Sequence, residues 1–406
     1  MIAPEDRNAR TAENGTAITL ARAHHSADPE GSSVTKPRRV LVVFGTRPEA
    51  IKLAPVIESL RLRPADFEPV VAVTAQHREM LDQVLSLFDI HPDHDLDIMT
   101  AGQSLMDITV QTLTGLAPLM EQIAPDIVVV QGDTTSTFAA ALAAFYHRVP
   151  VGHVEAGLRT YDLARPYPEE GNRQLATRIT RWHFAPTLEA ERNLLAEGID
   201  PSAIHVTGNT VVDALLATRD KPFRFEPGPV DDALASGRRI VLVTAHRREN
   251  WGEPYRRICT AVAELVSQHA DIHVLFATHR NPTVSDVARE MLGNLDRVDL
   301  LEPLDYLPFV RLMDAATLIL SDSGGVQEEA PTLGKPALVL RDVTERPEAV
   351  AAGVVTLVGT DTARIVTDAS RLLTDPSAYA EMSRASNPFG DGHAAQRIAD
   401  LLSRAD

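Results

Sequence analysis

From Arg39 onward the chain alternates short apolar runs, rich in β-branched residues, with longer stretches in which apolar positions recur at helical spacing. The first series of runs predicts strands at Val40–Phe44, Val70–Thr74, Ile127–Gln131, Val149–His153, Trp182–Ala185 and His205–Thr207. A second series predicts Ile240–Thr244, His273–Ala277, Val298–Glu302, Leu318–Ser321, Ala337–Leu340 and Val354–Val358. Helix-period segments lie between them, among them Glu49–Arg61, Glu79–Leu87, Thr135–Tyr146, Glu189–Glu197 and Pro254–Ser267. Strands apolar on both faces and separated by helices belong in parallel sheets covered on two sides. Two such series predict an α/β protein of two doubly wound, Rossmann-like domains facing a cleft. The expected domains are 37–207 and 208–389, with the Pro- and Gly-bearing stretch Gly208 to Gly237 as the crossing. A last helix, at about 390–406, is expected to pack back on the first domain. Residues 1–36 are polar and have no apolar stretch of signal-peptide type, so they are expected to be a disordered extension.

Composition narrows the chemistry. No apolar run approaches the ~18 residues of a membrane span, and the formal net charge of −17 disfavours nucleic-acid or anionic-membrane surfaces. An anionic substrate must then be held by a local cluster of cations and helix N-termini. The single cysteine, Cys259, excludes an internal disulfide and Cys-based metal sites and fits a reducing, cytoplasmic compartment. Lysine occurs only at 36, 52, 221 and 335 against abundant Arg and Ala, a usage associated with GC-rich bacteria. The run His91-Pro92-Asp93-His94-Asp95 lacks ligand spacing on a regular element, so no metal is expected.

In doubly wound folds ligands bind beyond the carboxyl ends of the strands, so the residues after each strand carry the functional information. Gly45-Thr46-Arg47-Pro48-Glu49-Ala50-Ile51-Lys52 follows the first strand as a tight turn into a helix, a geometry that points backbone N–H groups at an anion. Lys52 is opposed by the helix dipole there, which suggests that it and Arg47 serve phosphate or acidic partners. Gln131-Gly132-Asp133-Thr134-Thr135-Ser136-Thr137 and His153-Val154-Glu155-Ala156-Gly157-Leu158-Arg159 follow two successive strands, so Asp133 and Glu155 should share one sheet edge. Neighbouring carboxylates in a desolvated cleft have their pKa values pushed apart, as acid–base chemistry requires; alternatively Asp133 caps a helix and Glu155 pairs with Arg159. Pro166-Tyr167-Pro168-Glu169 opens a helix and offers a third carboxylate, although an acidic first turn is also good capping. In the second series, Thr244-Ala245-His246-Arg247 can neutralise a diphosphate. Ser323-Gly324-Gly325 lets backbone approach phosphate, with Glu329 one turn into the helix to accept from ribose hydroxyls.

In combination, FGTRPEAIK, QGDTTST, GHVEAGLRT, PYPEEGNRQ, TAHRREN and SGGVQEEAPTLGKP followed by TERPEAV resemble the non-hydrolysing UDP-N-acetylglucosamine 2-epimerase family, from about Arg39 to the C-terminus. The resemblance implies the two-domain architecture of glycogen phosphorylase and the related glycosyltransferases, a homodimer, and no metal or nicotinamide cofactor. It implies reversible inversion of C2 of a UDP-N-acetylhexosamine through elimination of UDP to a bound 2-acetamidoglucal and re-addition. Asp133, Glu155, Glu169 and His246 match catalytic positions. Arg47, Lys52, Ser323, Gly324, Gly325, Glu329 and Arg346 match UDP or sugar contacts, with Phe309 and Leu304 beside the base; relatives carry Gln at the position of Leu304. Gln76, Arg247 and His279 match a site for a second UDP-N-acetylglucosamine acting as activator. The alternatives are a hydrolysing epimerase, a two-domain glycosyltransferase and a sugar-nucleotide-binding regulator.

Overall fold

A computed structural model describes residues 36–74, 78–100, 102–279 and 281–404. Seven parallel strands form the first sheet: β1 (Arg38–Phe44), β2 (Phe67–Val73), β3 (His94–Asp95), β4 (Ile127–Gln131), β5 (Val151–Val154), β6 (Trp182–Ala185) and β7 (Ile204–Val206), in the order β3-β2-β1-β4-β5-β6-β7. Six form the second: β8 (Arg239–Thr244), β9 (Ile272–Ala277), β10 (Val298–Leu301), β11 (Leu318–Ser321), β12 (Ala337–Val339) and β13 (Val355–Leu357), in the order β10-β9-β8-β11-β12-β13. Their apolar side chains point alternately to two faces, and both faces are dry. Val40, Val42 and Phe44 enter one core layer, while Leu41 and Val43 enter another across the same strand.

Each sheet reverses its winding once, between β1 and β4 in the first and between β8 and β11 in the second. A crevice opens at such a switch point because the helices on either side lie on opposite faces. The turns after β1, β4, β8 and β11 are the ones that carry the Arg47, Asp133, His246 and Ser323 motifs.

The chain passes between the sheets twice at one place. Asn209 N donates to Phe389 O over 2.7 Å, and Gly208 (φ +90°) packs against Gly390 (φ +116°) so closely that a Cβ on Gly390 would lie 3.1 Å from the Gly208 Cα. The stretch read as a crossing carries two helices, Thr210–Arg219 and Pro229–Ala235. The last helix, Ala394–Ser403, lies on the first helix, Arg47–Arg61: Arg63 pairs with Asp400 at 2.7 Å and Arg38 donates to Leu402 O at 3.0 Å.

All twelve strand segments expected from the pattern appear, displaced by up to three residues at their ends. The pattern missed β3, a two-residue polar edge strand within the His91–Asp95 run; it pairs with Ala72 and Val73 of β2. Among the described residues no helix is long and apolar enough to cross a membrane. Residues 1–35, expected to be an extension, lie outside the described residues.

Candidate functional site

Glu49, not the substrate, takes the free donors at the first turn. Its carboxylate accepts from Gly45 N at 3.0 Å and Thr46 N at 2.7 Å, and the Thr134 and Thr137 hydroxyls donate to its other oxygen at 2.7 Å each. A carboxylate here satisfies orphan N–H groups and suits the helix dipole. It also ties the β1 turn to the β4 turn across the switch point. Gly45 fits because a Cβ would stand 2.0 Å from Thr74 Oγ1.

Beyond these turns lies a cavity of about 270 Å³ lined by Lys52, Gln131, Asp133, Glu155, Glu169, Arg173, Arg247 and Arg346 together with turn residues. The three carboxylates expected to work together are therefore brought together, each in a different setting. Asp133 pairs with Arg173 at 2.5 Å, and Thr134 rather than Asp133 caps the next helix. Glu155 is held by Lys52 Nζ at 2.7 and 2.5 Å and by the Gln131 amide, while Arg159 pairs instead with Glu197. Burial opposes the charge on Lys52, but the carboxylates of Glu155 and Glu328 outweigh it and hold the ammonium above its ordinary range. Glu155 has φ +64°, a left-handed backbone that costs a non-glycine residue on the order of 1 kcal/mol and aims its side chain out of the β5 end. Glu169 opens the helix Glu169–Ile179, and its Oε2 is buried with no hydrogen-bond partner. Glu169 lines the cavity, and a carboxylate oxygen without a partner keeps acceptor capacity for a ligand's hydroxyl.

A second cavity, about 680 Å³, is lined by Arg47, Thr244, His246, Thr278, His279, Leu304, Phe309 and Ser323, among others. The two cavities share loops: Thr46 and Pro48 face the first and Arg47 the second, while Arg247 faces the first and His246 the second. Asp322, fully buried after β11, organises the His246 loop. It accepts from His246 N at 2.9 Å, Arg247 N at 2.9 Å and Asn250 Nδ2 at 2.9 Å, and lies 3.1 Å from His246 Nδ1. Burial lowers the imidazole pKa below its ordinary value, opposed by the Asp322 charge. The His279 ring stacks on His246 with centroids 6.5 Å apart.

Gly324 lies between the cavities, where a Cβ would stand 3.4 Å from both Arg247 Nη2 and Arg346 Nη1. Gly325 has an ordinary helical backbone (φ −63°), so what it supplies is the lack of a side chain rather than unusual torsion angles. Glu329 sits behind this turn. It is buried, accepts from Tyr306 OH at 3.0 Å, and burial pushes its carboxyl up to about 7.

Arg247, read above as belonging to an activator site, lines the carboxylate cavity; His279 lines the other, and Gln76 lies outside the described residues. Sequence reasoning did not single out Arg173, Gln131, Asp322, Tyr306 or Glu328. Arg173 stands within the quoted PYPEEGNRQ motif, one helical turn after Glu169, and that spacing was the available signal; in the structure it is buried. Among the described residues no group of three or more His, Cys, Asp or Glu is placed to hold a metal.

Comparison with known proteins bears on this arrangement. Residues 60–403 match the family described as UDP-N-acetylglucosamine 2-epimerase. The chain is 54% identical over 369 residues to the UDP-N-acetylglucosamine 2-epimerase of Yersinia pestis, covering 90% of this chain and 98% of that one. It superposes with a TM-score of 0.82 and 48% identity on the Neisseria meningitidis UDP-GlcNAc 2-epimerase bound to UDP-GlcNAc, covering 90% of this chain and 100% of that chain. The Methanocaldococcus jannaschii UDP-GlcNAc 2-epimerase in complex with UDP-GlcNAc and UDP matches with a TM-score of 0.74 and 34% identity, covering 90% of this chain and 100% of that one.

Proposed function

The chain belongs to the UDP-N-acetylglucosamine 2-epimerase family, and we propose that it interconverts UDP-N-acetylglucosamine and UDP-N-acetylmannosamine without hydrolysis. The observation that carries this reading is one cavity holding Asp133, Glu155 and Glu169 beside Lys52, Arg173 and Arg346, joined through shared loops to a pocket with Arg47, His246 and Phe309.

The chemistry divides between the cavities. A carboxylate removes the C2 proton as the C1–O bond breaks, so the C–H electron pair forms the C1–C2 double bond and UDP departs with the C1–O pair. Re-addition of UDP to C1, with proton delivery to the opposite face of C2, gives the epimer. Groups on both faces of the sugar are needed, which is the use of a set of carboxylates. Arg47, Lys52, His246, Arg346 and the Ser323-Gly324-Gly325 turn stabilise the departing diphosphate, where developing charge makes preorganised donors most effective. Leu304 and Phe309 form the apolar wall for the base, and Glu329 accepts from the ribose. Closure of the cleft keeps water from the glucal.

Arg247, which lines the first cavity, and His279, which lines the second, support a neighbouring site for a second UDP-N-acetylglucosamine as activator. Exposed Met106 and Val110 on the helix Leu105–Ile123, with Phe145 and Tyr146 on the adjoining helix Thr135–Tyr146, support a homodimer. The single, buried Cys259, its thiol pushed up to about 12 by burial, suits the cytoplasm.

The test is incubation with UDP-N-acetylglucosamine in deuterated water, followed by NMR. The expected products are both UDP-sugars carrying deuterium at C2. Free N-acetylmannosamine and UDP as end products would move the chain to the hydrolysing reaction, and protium retained at C2 would contradict the chemistry.

A further inference from the structure

Glu328 does not line the carboxylate cavity, yet it lies 1% exposed behind the cavity wall with two cations against it. Its Oε1 accepts from Arg346 Nε at 2.7 Å, and its Oε2 accepts from Asn209 Nδ2 at 3.2 Å and lies 3.8 Å from Lys52 Nζ. Those two cations are the ones that face Glu155, Lys52 at 2.5 Å and Arg346 at 4.0 Å. Two carboxylates and two cations thus alternate in a buried cluster drawn from both sheets' halves of the chain. As a stabilising device such a cluster is poor, because desolvation offsets most of the attraction. Its consequence is positional: Lys52 has a second anion within reach of its first.

That matters because both oxygens of Glu155 are already engaged. Lys52 bridges both its oxygens and Gln131 donates to one of them. A carboxylate oxygen has two acceptor sites, and Glu328 Oε2 uses one for Asn209. Moving Lys52 Nζ by about 1 Å would bring it to charge-assisted hydrogen-bond distance of Glu328.

Resting on the epimerase reading, we propose that Glu328 is a positioning residue: it takes over Lys52 when substrate occupies the cavity and so releases the Glu155 carboxylate for proton transfer at the sugar. Glu329, Tyr306 and Glu348 also interact with Glu328 and none of them is a cation, while Arg47 acts on Glu329 and Tyr306. Glu328 touches no substrate in this account. Its loss leaves Lys52 with one carboxylate, and the exchange has nowhere to go.

The test uses the full chain and the scarcity of lysine. With lysine present only at 36, 52, 221 and 335, protein labelled with ¹³C at lysine Cε gives a small, assignable set of NMR signals. In the wild type, the Lys52 signal should titrate above the ordinary lysine range and shift when UDP-N-acetylglucosamine is added. In Glu328→Gln, which preserves shape and an acceptor for Arg346, Lys52 should titrate lower and the substrate-induced shift should vanish. kcat should fall at least about tenfold with KM within about threefold, and Glu328→Asp should recover part of the loss. A Lys52 titration and substrate shift unchanged in Glu328→Gln would overturn the proposal, as would full kcat. Wild-type protein that shifts Lys52 on binding but makes no epimer would instead count against the functional reading alone. Should Glu328→Gln fail to fold by circular dichroism, Glu328→Asp decides: an unmoved Lys52 signal and full kcat overturn the exchange, and an intermediate kcat supports it.

Discussion

The two cavities treat the same functional group in opposite ways. In the first, Asp133 has Arg173 at 2.5 Å and Glu155 has Lys52 at 2.5 Å, so each carboxylate is paired with a cation. Behind the turn that borders the second, Glu329 accepts from the Tyr306 hydroxyl at 3.0 Å, the charges of Lys52 and Arg47 act on it only from farther off, and burial pushes it up to about 7. Acids paired with cations are held ionised, and a shift of the cation can release them for proton transfer. An acid pinned by a phenol suits static recognition, with a charge that ligand binding itself can settle. Neighbours, not residue type, divide chemistry from binding here.

Removing the proposed proton-transfer groups should give the largest effects. Asp133→Asn and Glu155→Gln are each expected to lower turnover by about 100-fold or more with UDP still bound, measured as steady-state kcat beside calorimetric UDP titration. Glu169→Gln tests the unpartnered oxygen and should show the same separation of rate from affinity. Near-normal rates in any of them would remove that residue from the acid–base set.

On the binding side, Glu329→Ala should weaken UDP by about 1–3 kcal/mol, the cost of losing a charged acceptor, with a smaller effect on kcat. The same residue sets a pH dependence. With Glu329 as the proposed acceptor for the ribose hydroxyls, which donate to its ionised form, UDP affinity should fall as pH drops below about 7, and binding near pH 7 should release a proton. Calorimetry in two buffers of different ionisation enthalpy measures that release, and Glu329→Gln should abolish it. For folding of the free chain the sign reverses. The carboxyl's raised pKa makes its protonated form the favoured buried one, a stabilisation complete below about 4.5 and lost as pH rises through about 7.

Smaller still is the change of shape. Arg47 belongs to the first half and Ser323 to the second, so UDP contacting both should draw the halves together about the Gly208–Gly390 crossing. Solution scattering with saturating UDP should report a smaller radius of gyration at unchanged oligomeric state. No compaction despite tight binding would break the two-sided picture. A chelator should change nothing, since the described residues offer no clustered ligand set; activity lost in EDTA and restored by a divalent ion would contradict that.

Much of this was legible in the chain because both-face apolar runs leave few choices for a strand, and because switch-point geometry makes the residues after strands informative. The expected carboxylates do meet in one cavity. What stayed hidden was pairing at long range. Lys52 and Glu155 are 103 residues apart, and no periodicity links them. The adjacent Glu328 and Glu329 look alike in sequence, yet one faces cations and the other a phenol. Glu155's left-handed backbone and Asp322's hold on the His246 loop likewise arise from tertiary placement. The polar edge strand β3 carried no hydrophobic pattern to find.

The central claim is that UDP leaves C1 and returns within one closed site. Positional isotope exchange tests it most directly, using UDP-N-acetylglucosamine with ¹⁸O in the bridge between C1 and the β-phosphorus. Elimination frees the β-phosphate to rotate before re-addition, so ¹⁸O is expected to scramble into the non-bridging positions of recovered substrate, at a rate comparable with epimerisation. Epimerisation with the label fixed in the bridge would contradict release of UDP as an intermediate free to turn before it returns, and the claim would fail.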